Sequence, residues 1–205
     1  MRHLRKSYDM NEIDLYILET LYSLRNGDLV QMLIFITEFG STIAIGGIAT
    51  ALGLFFIVRK KFSDLSGLCI SVIGTSAVVF FLKETIARAR PDAAYQAYLE
   101  SGFAFPSGHS ALSLALYGFI AYILWKHFPR LRGQARIRII WLSGIAALVA
   151  LVGFSRLYLG LHFASDVLGG YAIGGIFLWI GISCAQRFEK MRMLHPELSS
   201  DIKPD

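Results

Sequence analysis

The chain has 205 residues, 55% of them hydrophobic and only 17% charged, with a mean hydropathy of +0.53. An average soluble domain carries about 25% charged residues, so this composition excludes both a disordered chain and an ordinary soluble fold. Lys and Arg exceed Asp and Glu by 20 to 15, a net charge of +5; the basic residues fall between apolar runs, so membrane topology accounts for them and no nucleic-acid partner is expected.

At the N-terminus, Arg2, Arg5 and Lys6 are followed by Glu12, Asp14 and Glu19. An apolar core and a cleavage site are missing there, so no cleaved signal peptide is expected. Ile13–Leu24 reads as an amphipathic helix, and Leu29–Thr37 is apolar but too short to cross a bilayer. The preferred reading of residues 1–40 is an interfacial helix, then a short helix dipping into the membrane and broken near Gly40-Ser41, with the N-terminus outside. The basic N-terminal residues favour the opposite side, which would need a crossing within residues 12–39.

A bilayer core of about 30 Å takes roughly 20 apolar residues in a helix. Five stretches approach that length: Ser41–Val58, Leu65–Leu82, Ser107–Trp125, Ile137–Phe154 and Ala164–Ala185. Their interruptions are mostly small residues, including Gly46, Gly47, Gly74, Gly144 and the Gly170-x-x-x-Gly174 pair, as close helix packing in membranes requires. The expected fold is all-α: one polytopic helical bundle with about five transmembrane helices over residues 41–185, preceded by the interfacial and dipping helices and followed by a cytoplasmic tail, residues 186–205. Cys69 and Cys184 lie inside apolar stretches and read as small hydrophobes, with no disulfide framework.

Arg59, Lys60 and Lys61 follow the first span, Lys126, Arg130, Arg132, Arg136 and Arg138 follow the third, and Arg187, Lys190 and Arg192 follow the fifth. The positive-inside rule makes these segments cytoplasmic and places Lys83–Pro106 and Ser155–Phe163 outside. These outer connectors hold the chemistry. Lys83, Arg90 and Arg156 are cations on the side that disfavours them. They either snorkel to headgroups or converge on a phosphate or diphosphate. Pro106-Ser107-Gly108-His109 reads as a helix start whose free N–H groups suit an anion, next to an imidazole able to exchange protons near neutrality. His162 and Asp166 are spaced i, i+4 at the start of the last helix. They form either a wet helix boundary or a carboxylate–imidazole pair with one ring nitrogen free as a nucleophile. Glu84, Asp92 and Glu100 are isolated and read as solvated loop residues. Tyr158, Phe163 and Tyr171 read as interfacial aromatics.

Together these residues resemble the type 2 phosphatidic acid phosphatase (PAP2) superfamily of membrane lipid phosphatases. Its signature is Lys-x6-Arg-Pro, then Pro-Ser-Gly-His, then Ser-Arg-x5-His-x3-Asp. The chain matches every fixed position with Lys83, Arg90-Pro91, Pro106-Ser107-Gly108-His109 and Ser155-Arg156, His162, Asp166. The resemblance covers residues 83–166, and flanking spans fit the family's helical core. It implies a metal-independent phosphatase without cofactor, acting through a phosphohistidine. By that analogy His162 attacks phosphorus, Asp166 orients and charges it, and His109 protonates the leaving oxygen and then activates water. Lys83, Arg90, Arg156, Ser107 and the Gly108 N–H hold the phosphoryl oxygens.

The implied substrate is a lipid phosphate met at the extracytoplasmic face of an inner, or plasma, membrane. Many bacterial members carry one further full span before the segment corresponding to Leu29–Gly40. The shorter start resembles undecaprenyl diphosphate phosphatases of the bacitracin-resistance type, whereas Ser-Gly-His resembles phosphatidylglycerophosphate and phosphatidate phosphatases. Two other functions use the same pocket: transfer of phosphate to a second lipid, and lipid binding or transport without turnover. The spans argue against a soluble vanadate-dependent haloperoxidase. Oligomeric state is not legible, since Gly170 and Gly174 suit packing within one bundle or between subunits.

Overall fold

The computed structural model describes residues 8–127 and 135–194. Arg2, Arg5 and Lys6, the loop residues Arg130 and Arg132, and the tail beyond residue 194 lie outside the described residues. Eight α-helices carry the described chain: α1 Tyr8–Ser23, α2 Gly27–Thr37, α3 Thr42–Val58, α4 Phe62–Cys69, α5 Thr75–Ile86, α6 Gly108–His127, α7 Ala135–Tyr158 and α8 Ala164–Leu194.

Four continuous helical stretches are long and apolar enough to cross a membrane: Phe62–Ile86, Gly108–Lys126, Arg136–Tyr158 and Ala164–Leu194. A fifth arises if Gly27–Gly40 and Thr42–Val58, bent by 41°, are taken as one broken span. The break falls where the sequence places it. A 3₁₀ turn, Glu38–Gly40, ends α2, and Ser41 restarts the chain by accepting the Ala44 N–H at 3.3 Å. Asn26 caps α2 in the same way, with Oδ1 2.8 Å from the Asp28 N.

The second span departs from the expected plain helix. Between α4 and α5, residues Ile70–Gly74 form a π-helical segment. Ser71 there donates to the Ala115 carbonyl of α6 at 3.0 Å, so the bulge seats this span on α6 through a buried hydroxyl. Hydropathy, which reports apolarity and not hydrogen-bond register, carries no trace of it. The last span also exceeds the expected end at Ala185 by more than two turns, reaching Leu194.

Lipid is as apolar as leucine, so side-chain burial alone gives membrane helices little reason to associate, and close contact of small residues takes over. A Cβ at Gly170 would strike the Ser107 carbonyl, and one at Gly174 would strike that of Ala111, so these glycines serve the α6–α8 contact within the bundle. Gly67 and Gly181 play the same part between α4 and α8, and Gly153 receives the Tyr171 ring between α7 and α8. The interior cluster is built from Ile45, Phe56, Leu68, Val72, Leu112, Leu116, Phe119 and Val149. Ile43, Phe80, Ile140 and Trp179 remain exposed on the outer face, where a bilayer rather than water is the fitting solvent.

A second cluster of Leu33, Tyr158, Leu159 and Leu161 sits at one end of the bundle and holds α2 on the end of α7. Tyr158 is 3% exposed; its hydroxyl donates to the Leu24 carbonyl and accepts the Asn26 N–H. Tyr171 donates to the Val149 carbonyl at 2.7 Å. Neither belongs to the interfacial belt expected from the sequence; each bridges helices through its polar tip. Phe163 lies beneath the Arg88 guanidinium, 4.5 Å from ring centroid to charge centre.

Candidate active site

Four short segments meet at the end of the bundle marked by the second cluster. Lys83 is in the last turn of α5, the loop from Ala87 to Ser107 crosses the bundle end, Arg156 closes α7, and His162 and Asp166 flank the start of α8. Close helix contact fixes their register. The Ser107 N–H donates to the Asp166 carbonyl at 3.0 Å, one turn before the Gly170–Ser107 contact, so the first turn of α6 and that of α8 are locked together. Ser107 is fully buried and accepts the Ser110 hydroxyl at 3.0 Å.

His162 is 2% exposed, and its backbone N–H donates to the Arg156 carbonyl. Its Nε2 lies 3.2 Å from Arg90 Nη1. An arginine only donates, so Nε2 is the accepting nitrogen and the ring proton belongs on Nδ1. Nδ1 faces Asp166 Oδ2 at 3.6 Å, near enough for charge attraction but beyond hydrogen-bond range, and no other partner reaches it. Asp166 is fully buried; Oδ2 accepts the Phe163 N–H at 2.8 Å and Oδ1 accepts from Arg88 at 2.5 Å. Burial holds the His162 imidazole down at about 4; Asp166 opposes this, while Arg156 and Arg90 reinforce it. The ring is therefore neutral, with its nucleophilic lone pair turned to a cation.

The three expected phosphate cations do converge. Arg90 is pinned by the carbonyls of Leu161, Gly102 and Ser101. Arg156, with no exposed surface, donates to Thr37 Oγ1 at 3.1 Å and Tyr98 Oη at 2.9 Å. Lys83 donates to the Phe103 carbonyl and lies within electrostatic reach of Arg90, Arg156 and Asp166. His109, in the first turn of α6 against Gly40, is within the same reach of Arg156, His162 and Arg90.

Glu100 corrects the sequence reading. It is not a solvated loop residue: Oε1 accepts from Arg90 at 3.0 Å and Oε2 accepts from Arg156. Burial alone would push its carboxyl up, but Arg156 and Arg90 outweigh burial and hold it below the usual range. Glu84 is exposed as expected, and Asp92 is exposed and caps the short turn Ala93–Tyr95.

Sequence reasoning also missed Arg88, Asp14 and Ser165. Arg88 Nη2 donates to Asp14 at 2.7 Å and its Nη1 to Ser165 Oγ at 2.7 Å. Asp14, 3% exposed on α1, also accepts the Ser165 N–H at 3.0 Å and its hydroxyl. An arginine two residues before Arg90 was the available signal. Asp14 offered none, since its partner Ser165 lies 151 residues away.

Among the described residues no group of three or more His, Cys, Asp or Glu side chains is placed to hold a metal ion. The basic corner made by Lys83, Arg90 and Arg156, beside two imidazoles and one buried carboxylate, suits a phosphoryl group and its transfer.

Comparison with known proteins agrees with this chemistry. The PAP2 superfamily model matches residues 64–190. Phosphatidylglycerophosphatase B of Bacillus subtilis (strain 168) is 40% identical over 141 residues, which cover 68% of this chain and 66% of that protein. A lipid A 1-phosphatase of Rhizobium etli is 33% identical, over 59% of this chain and 54% of its own length. The chain spans about two thirds of the first of these relatives and little more than half of the second. Among solved structures, a transmembrane PAP2-type phosphatidylglycerolphosphate phosphatase from Bacillus subtilis superposes with a TM-score of 0.77 at 31% identity, covering 86% of each chain. With a family model over more than half its length and all three signature segments gathered at one site, the chain belongs to the PAP2 superfamily.

Proposed function

We propose that this protein is an integral membrane lipid phosphatase that hydrolyses a phosphomonoester or diphosphate at the extracytoplasmic face through a phosphohistidine. The observation that carries the reading is the setting of His162: a neutral, buried imidazole with Nε2 presented to Arg90 and Nδ1 facing a buried carboxylate.

A phosphate entering between Arg90 and Arg156 takes over the arginine donors now bonded to Glu100. Arg90 then turns its Nη1 from His162 to a phosphoryl oxygen, and Nε2 attacks phosphorus. The N–P bond forms as the bond from phosphorus to the lipid oxygen breaks, and His109 delivers a proton to that oxygen. Asp166 balances the charge that the ring acquires. His109, now basic, takes a proton from water; the hydroxide attacks phosphorus, the N–P bond breaks, and inorganic phosphate leaves with His162 neutral again. Lys83, Arg90 and Arg156 neutralise the equatorial oxygens throughout.

The extracytoplasmic setting rests on charge. The site lies at the helix ends opposite Arg59, Lys60 and Lys61 and opposite Arg187, Lys190 and Arg192. Phosphatidylglycerophosphate is the first substrate to try, because the 40% identical relative is named for it; undecaprenyl diphosphate and phosphatidate are the comparison arms. Purified protein in detergent is expected to release phosphate from at least one of the three with a chelator present, and His162→Ala to abolish release. Tight lipid binding without release would overturn hydrolysis, and appearance of the phosphate on a second lipid would replace it with transfer.

A further inference from the structure

The catalytic pair reaches further than the family signature describes. Asp166 meets His162 with one oxygen, while its other oxygen is held at 2.5 Å by Arg88, a residue inside the spacer between Lys83 and Arg90. Arg88 is itself held on its far side by Asp14, at 2.7 Å, and by the hydroxyl of Ser165, at 2.7 Å. Asp14 also takes the Ser165 N–H at 3.0 Å, at the start of α8 one residue before Asp166.

We propose that Arg88, anchored by Asp14 of α1 and by Ser165, is a positioning residue for the His162–Asp166 pair, which makes the N-terminal helix part of the reaction machinery. The inference rests on the phosphohistidine reading above. Two physical requirements meet in this network. Asp166 must be fixed in direction to keep the proton of His162 on Nδ1, and a bidentate-capable guanidinium fixes a carboxylate better than a flexible ammonium does. Asp166 must also keep its negative charge available to the ring, and an arginine bonded to it alone would draw that charge away. Asp14 supplies the balance: with two carboxylates and one guanidinium the network retains a net negative charge beside His162. The seating of Arg88 over the Phe163 ring closes the fourth side.

No hydrogen bond joins Arg88, Asp14 or Ser165 to Lys83, Arg90 or Arg156; the network meets the phosphate corner only through Asp166 and His162. Loss of Arg88 or Asp14 is therefore expected to lower turnover and to leave substrate affinity nearly alone. The effect must also run through Asp166, so it should vanish once Asp166 is gone.

The test compares Arg88→Gln, Arg88→Lys, Asp14→Asn and Asp166→Ala, singly and as Arg88→Gln with Asp166→Ala. It measures kcat and KM for phosphate release from phosphatidylglycerophosphate, undecaprenyl diphosphate or phosphatidate, whichever the wild type turns over, together with melting temperature in detergent. Loss of one charge-assisted bond to Asp166 predicts a fall in kcat of about 10- to 100-fold for Arg88→Gln with KM changed by less than about threefold, and partial rescue by Arg88→Lys. The double variant should be no slower than Asp166→Ala alone. Additive losses in the double variant, or an unchanged kcat in Arg88→Gln, would overturn the proposal. If Arg88→Gln fails to fold, Asp14→Asn decides alone, because it leaves Arg88 on Asp166; its expected fall in kcat is about tenfold, and wild-type turnover would overturn the proposal. Failure of the underlying reading looks different: the wild type releases no phosphate, or His162→Ala keeps its activity.

Discussion

Replacing Arg90 by Gln tests whether His162, the nucleophile of the proposed reaction, is held neutral in part by the cations beside it. In the folded protein His162 titrates at about 4, brought there by burial first and by Arg156 and Arg90 in addition. The Arg90 Nη1 lies 3.2 Å from His162 Nε2. At that distance one unit charge is worth about 5 kcal/mol at an effective dielectric constant near 20 and about 1.3 kcal/mol in water. Glu100 sits on the same guanidinium and opposes it, which brings the net effect to the low end of this range, equivalent to roughly one pH unit. Removing a cation favours the imidazolium, so the midpoint should rise from about 4 to roughly 5. The neutral form is complete above the midpoint and lost as pH falls through it. Imidazole NMR of histidine-labelled protein in detergent, assigned with His162→Ala, reads the midpoint without interference from the substrate's own ionisation. A wild-type His162 titrating near 6.5, or the same midpoint in both proteins, would refute the reasoning.

Glu100→Gln should tighten inhibition by orthophosphate several-fold, because the anion no longer displaces a carboxylate bonded to two arginines; competition assays against orthophosphate and against a bulk phosphodiester lipid read this directly. Gly174→Leu drives a side chain into the Ala111 carbonyl and should cost about 1–3 kcal/mol, seen as a lower melting temperature, with activity falling as the first turns of α6 and α8 lose register. Ala87, which ends α5 at φ 48°, is in the left-handed region that glycine tolerates freely. Ala87→Gly should therefore raise the melting temperature slightly, by about 1 kcal/mol in stability. If Lys83, Arg90 and Arg156 supply the positive charge as proposed, chelator treatment should leave phosphate release unchanged; a rate restored only by added divalent cation would contradict this.

The membrane architecture was legible because hydropathy and helix length are properties of contiguous residues. The four continuous spans and the break at Gly40-Ser41 lie within about a turn of their expected bounds, except the C-terminal end of the last span, which runs on from Ala185 to Leu194. The Gly170-x-x-x-Gly174 spacing marks a packing face, but that its partner is α6 follows only from the fold. The signature residues gathered because most lie in the first or last turn of a helix, where a one-dimensional pattern already sets depth; Arg90 and His162 lie in the connecting loops and are brought in by them. What escaped notice were polar residues whose partners are distant in sequence. Asp14 resembles any acidic residue on an amphipathic helix until α1 docks on α8, and Glu100 resembles a loop carboxylate until its loop folds over Arg156. The π segment at Ile70–Gly74 escaped because it alters hydrogen-bond register and leaves the apolar pattern intact.

The bond of Glu100 to both arginines means that the pocket carries its own counter-ion into a surface crowded with anionic headgroups. Most of those headgroups are phosphodiesters with a single negative charge, whereas a terminal phosphate carries about −1.5 to −2 at neutral pH. A monoanion that exchanges for Glu100 replaces like with like and gains little. A dianion brings extra charge to Lys83 as well. Under the phosphatase reading proposed above, the loop is expected to set a threshold for admission that a singly charged headgroup does not meet.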